Sequence, residues 1–164
     1  MNSLFSRVII GGAIIGLASG FASASRVDEE PIQCGTVAFA IAEEANAGAT
    51  TAASVLLQAL GYKTDVRSGD AASAKDAMRS GDVDVVLGHD GAAVREGYFD
   101  ECKNLAKLLK KMKISPDKTS AIGTSEDEAR AWLKSNQSSV DRWLKDVKAW
   151  DGKTDGKKAV RKAL

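Results

Sequence analysis

Between Gly35 and Leu87 short apolar runs alternate with helical periodicities, and this alternation confines the chain to a parallel α/β arrangement. Gly35 to Ile41 (GTVAFAI) is short, apolar and β-branched near its start, as a buried strand should be. Glu43 to Ala49 is a connection of polar and small residues. From about Thr50, the residues Ala52, Val55, Leu56, Ala59 and Leu60 recur at helical spacing, and Gly61 is placed to end the helix. Lys63 to Arg67 alternates as a second strand. Asp70 can cap a second helix whose inward stripe is Ala71, Ala74 and Met78, closed by Gly81. Val83 to Leu87 (VDVVL) makes a third strand. Right-handed crossovers set the sheet order 2-1-3. Ligands of such sheets sit at the carboxyl ends of the strands, here the loops beginning at Ala42 and Gly88.

The rest of the chain reads as helical. Leu105, Leu108, Leu109 and Met112 form an apolar stripe in a helix over Asn104 to Met112. Ser115-Pro116 opens a short helical turn. Ser125 with Glu128 forms a capping box, and Ser138 with Asp141 a weaker one. Trp132 and Trp143 lie on the core-facing stripes and read as packing residues, whereas Trp150 falls where the periodicity ends. The lysine-rich tail over 153–164 either frays or forms one last exposed helix.

The first 24 residues have the organisation of an export signal. Arg7 is the positive end, Val8 to Leu17 the apolar run, and Ala22-Ser23-Ala24 the small-residue cleavage pattern. An apolar run of about ten residues is short for a bilayer span, so a retained anchor is the rival reading. Cleavage near Ala24 predicts a periplasmic or secreted protein with one domain over 25–152, followed by the basic tail. The remaining ~140 residues suffice for one core. A composition of 44% hydrophobic and 27% charged residues suits a folded chain.

Charge divides unevenly. From Ser25 to Cys102 acidic residues outnumber basic ones 14 to 6, and from Lys103 onward basic residues lead 16 to 8. The lysines are spread through helical repeats, which favours a solvated face over nucleic-acid binding. Cys34 and Cys102 are an even pair in an oxidising compartment, which favours a disulfide over two separate buried thiols. His89 is the only histidine and no ligand spacing surrounds the cysteines, so neither a metal site nor a cofactor is implied. No nucleophile elbow, P-loop or histidine-activated nucleophile occurs, and an enzyme is disfavoured. The candidate ligand contacts are Glu43, Glu44 and Asn46 after the first strand and His89 and Asp90 after the third. Topology should set these two loops side by side.

Six stretches in order carry a family likeness. Cys34-Gly-Thr-Val, TTAASVLLQALGYKTDV (Thr50 to Val66) and GDVDVVLG (Gly81 to Gly88) resemble the periplasmic binding proteins of choline and glycine betaine ABC importers. GYFDECKNLAKLLKKMK (Gly97 to Lys113), EARAWLKSN (Glu128 to Asn136) and VDRWLKDVKAWDGK (Val140 to Lys153) resemble the closing segment of the choline-binding branch. The resemblance implies a Cys34–Cys102 bridge, a quaternary ammonium or other small cationic ligand, and a transporter permease as partner. It also implies two lobes and about twice this length, whereas here only Gly88 to Gly97 joins the third strand to the closing segment. The family cage of aromatic rings has no counterpart: its Trp falls at Glu43 or Glu44, a nearby Asp at Ala45 or Asn46, and a later aromatic near His89-Asp90. The expectation is therefore a single periplasmic-binding-protein-like lobe with an altered or degraded ligand site, completed in one version by a second protomer in a homodimer. The alternative is a non-transporting periplasmic interaction module.

Overall fold

The computed structural model describes residues 30–88 and 90–164, so the expected leader and His89 lie outside the described residues. Strands β1 (Thr36–Ile41), β2 (Lys63–Ser68), β3 (Val85–Gly88) and β4 (Gly91–Val94) form one sheet in the order β2-β1-β3-β4. Both crossovers are parallel, with Phe39 opposite Val66 on one side and Val85 on the other. The order 2-1-3 is thus present, with one strand added. β4 folds back antiparallel on β3, pairing Val85 with Val94 and Gly88 with Gly91. Gly91-Ala92-Ala93-Val94 carries almost no β-branched signal, and the hairpin supplies the pairing that propensity does not.

Helix α1 (Ala47–Ala59) starts three residues before the sequence periodicity suggests, led in by a 3₁₀ turn over Glu44–Asn46. Its stripe of Ala52, Val55 and Leu56 faces the core, but Ala49, Ala53 and Leu57 are buried as well. The helix is buried nearly all round because the sheet covers one side and α5 (Pro116–Ile122) and α6 (Glu126–Ser135) the other. Gly48 permits that approach: a β-carbon there would sit 2.8 Å from the Gly123 carbonyl and closer still to that of Thr119. Helix α2 (Ala71–Ser80) packs on the opposite face of the sheet, where Ala40, Ala74 and Val83 make a small second core. The Asp70 carboxylate accepts the Ser73 N–H at 2.7 Å, and Gly81 closes α2 at φ 83°.

Helices α3 (Tyr98–Glu101), α4 (Lys103–Leu109), α7 (Gln137–Trp143) and α8 (Gly156–Ala163) complete the main core. The Ser125–Glu128 capping box forms as read. The Ser138–Asp141 box does not: Ser138 lies inside α7, because α6 ends and α7 begins at Asn136. Asp141 instead accepts hydrogen bonds from Gln137 and from Arg161 of α8. Val160 of α8 is fully buried, so the tail's helix docks on the domain. Trp143 is buried and stacks on Trp132 with ring centres 6.3 Å apart.

Cys34 and Cys102 form a disulfide with α-carbons 5.7 Å apart, joining the turn before β1 to the start of α4. Beside it lies a knot of buried polar groups. Asn104 donates to the Lys148 carbonyl and to the Tyr62 hydroxyl, each at 2.8 Å, and accepts the Lys148 N–H at 2.9 Å. Glu30 accepts from the Tyr62 hydroxyl at 2.7 Å, from the Leu105 N–H at 2.9 Å and from the Asn104 N–H. Burial and the Glu30 carboxylate both push the Tyr62 phenol well above its ordinary range.

Candidate functional site

At the carboxyl ends of β1 and β3 the two connecting loops meet in a shallow cleft of about 390 Å³. Glu43 and Asn46 line it from the first loop and Asp90 from the β3–β4 turn, between walls made by Ala42, Val86 and Ala92. The parallel topology brings them together, because consecutive strands on either side of β1 open their loops at the same end. Glu43 and Asp90 are exposed, whereas Asn46 is buried. The Asn46 side-chain amide donates to Glu43 at 3.4 Å, and the Asn46 backbone carbonyl accepts the Thr50 hydroxyl at 3.1 Å.

The hairpin that carries Asp90 is anchored at its base. Asp84 accepts the Ala38 N–H at 2.9 Å and Arg95 Nε at 2.8 Å, and Arg95 also donates to Glu101 at 2.7 Å. That network fastens the base of the β3–β4 hairpin to β1, and Asp90 stands at its tip. The Arg95 hydrogen bond holds the Glu101 carboxyl below its usual range.

Glu44 parts from the others. The 3₁₀ turn rotates it to the far side of the loop, where it faces Ile41, Ala47, Thr51, Ser68, Gly69 and Thr124 around a separate hollow of about 500 Å³. A third hollow, of about 480 Å³, has no sequence signal that marked it. It lies at the other end of α1, between Leu60, Gly61, Ala149, Trp150, Ala159 and Ala163. The half-buried Trp150 there packs on Tyr62 at 5.2 Å and lies against Gly35, which accounts for it as a packing residue.

Among the described residues no aromatic ring lines the strand-end cleft. Phe39, Tyr62 and Tyr98 are in the core, Phe99 packs against it, and the tryptophans belong to the C-terminal part. What the cleft offers a ligand is negative charge from two exposed carboxylates, one amide and some aliphatic surface. Such a site attracts cations but cannot enclose them. Among the described residues no group of three or more His, Cys, Asp or Glu is arranged to hold a metal ion. No described helix is long and apolar enough to cross a membrane.

No protein-family model matches the sequence, and no curated protein matches it. Solved structures do. An ABC-transporter choline-binding protein in complex with choline matches with a TM-score of 0.74 at 18% identity, over 82% of this chain and 99% of that one. An ABC-transporter choline-binding protein in an unliganded, semi-closed conformation matches with a TM-score of 0.66 at 19% identity, over 80% and 99%. The span reaches both ends of the neighbours, in keeping with sequence likenesses that run from the first strand to the closing segment. The group that the sequence segments resemble is thus the group that the backbone resembles, and the chain has the fold of the ABC-transporter choline-binding proteins.

Proposed function

We propose that this chain is an extracytoplasmic ligand-binding component of an ABC import system of the choline and glycine betaine type, and that its altered site holds small cations weakly. The fold supports the binding role. The observation that carries the altered site is the lining of the strand-end cleft: Glu43, Asn46 and Asp90, with no ring among the described residues. A quaternary ammonium ion has no N–H to donate, so tight binding needs ring faces and enclosure. This cleft is open, and the one sheet among the described residues has no second lobe opposite it. Exposed, screened carboxylates contribute on the order of 1 kcal/mol or less each. A millimolar Kd corresponds to about 4 kcal/mol, which two carboxylates and a little aliphatic contact barely reach.

The same ring-free lining favours a second reading, a non-transporting interaction module that uses the lobe surface and binds no cation. Calorimetry with choline and glycine betaine separates the two. The first reading predicts saturable binding no tighter than roughly millimolar, weakening as salt rises. Complete absence of saturable binding at low salt would favour the module. Salt-insensitive, low-micromolar binding to a monomer would refute the altered site itself.

A further inference from the structure

We infer that two copies of this chain pair through the free edge of β2, joining their sheets into one continuous eight-stranded sheet about a two-fold axis at Val66. Among the described residues β2 is an outer strand whose one neighbour is β1, and from Asp65 to Ser68 every residue is exposed. Val66 is 40% exposed, one of two large apolar side chains so exposed among the described residues.

The backbone is poised for it. The Gly69 N–H donates to the Ile41 carbonyl at 3.1 Å, so Gly69 turns its backbone toward β1. Backbone direction alternates along a strand, so Lys63, Asp65 and Arg67 also face inward, and Thr64, Val66 and Ser68 face outward. Among the described residues, no backbone hydrogen bond outside the sheet ladders involves those three. An antiparallel copy centred on Val66 sets Val66 against Val66 and Thr64 against Ser68, so outward groups meet outward groups along the whole strand.

Charge selects this register over its neighbours. With the axis at Val66, Asp65 stands opposite Arg67 of the second copy, twice over. These are the closer, non-hydrogen-bonded positions, where side chains interact most strongly. Moving the axis one residue back sets Asp65 against Asp65 and Lys63 against Arg67. Moving it one residue forward sets Arg67 against Arg67. Of these three registers only the one at Val66 joins unlike charges; an axis at Thr64 would set Lys63 against Asp65 but would leave Val66 to Ser68 without a strand partner. Within one copy Arg67 already reaches Asp65 at 2.7 Å, and both side chains are about half exposed and free to share with a second copy. Charged edge strands commonly discourage pairing, but a self-complementary set permits one pairing and opposes the others.

Antiparallel pairing reverses the strands, so the two strand-end clefts open at opposite ends of the dimer. A second copy in this arrangement does not complete the cation site. The inference therefore stands apart from the cation reading.

Sedimentation equilibrium of the purified protein tests it, with the single charge reversals Asp65→Arg and Arg67→Asp, the double variant carrying both, and an equimolar mixture of the two single variants. The wild type should show a reversible monomer–dimer equilibrium. Each single variant alone should dimerise at least about tenfold more weakly, since two attractions become repulsions. The double variant and the mixture should both recover dimer, because each restores unlike charges across the axis. A monomeric wild type at the highest attainable concentration overturns the inference. So do single variants that dimerise as before, or a double variant and mixture that remain monomeric.

Discussion

Replacing Asn104 with Ala removes three hydrogen bonds at once from a place where little can replace them. The side chain is 9% exposed and spans from Tyr62 to both backbone groups of Lys148. In doing so it fastens the segment before α8 to the start of α4. Each lost bond costs about 1 kcal/mol net, and more where the abandoned partner stays dry. The Tyr62 hydroxyl keeps Glu30 as a partner, so its share is small. Among the described residues the Lys148 N–H and carbonyl have no other hydrogen-bond partner, and together they bring the loss to about 3 kcal/mol. For a domain of this size that lowers Tm by roughly 10 °C. Urea denaturation with the disulfide intact measures it. Asn104→Asp keeps the shape but replaces the donor with an acceptor beside Glu30, so it should lose at least as much. Either variant within about 0.5 kcal/mol of wild type would show that the knot is not structural.

Three further outcomes follow from the same geometry. Cys102→Ser should destabilise the protein by about 4 kcal/mol, because the bridge closes a loop of 68 residues in the unfolded chain; Tm of the variant against the oxidised wild type checks this. The Ser125 hydroxyl lowers the Glu128 carboxyl below its usual range, so this group favours the folded state above its unfolded pKa, and that contribution disappears as pH falls through the lower folded value. Ser125→Ala should accordingly flatten the acid limb of a stability–pH profile, and an unchanged limb would count against the cap. Glu43→Gln and Asp90→Asn should each weaken choline binding a few-fold at low salt and little at high salt, whereas Glu44→Gln, facing another hollow, should not.

The fold was legible where side chains carried its pattern. Val37, Phe39 and Val85 announce buried strands, and Asp70, Gly81 and the Ser125–Glu128 pair mark helix ends through the hydrogen bonds they make. β4 was not legible, since Gly91-Ala92-Ala93 has no preference of its own and exists as a strand through its hairpin with β3. Ser138 misled because a cap depends on where the preceding helix stops, and Asn136 is shared by two helices. Of the site, parallel topology predicted that Glu43, Asn46 and Asp90 share one cleft, while the separation of Glu44 rests on a 3₁₀ turn that no periodicity announces. His89 lies outside the described residues.

A choline titration followed by backbone amide NMR decides whether a weak, carboxylate-based cation site lies at the strand ends. Millimolar binding is within reach of that measurement, and the shifts locate the ligand. Such a site should give progressive shifts confined to residues 42–46 and 90–93, a Kd of roughly millimolar or weaker, and attenuation of the shifts by salt. Tight binding at these residues, or shifts centred on the hollow beside Trp150, would contradict it.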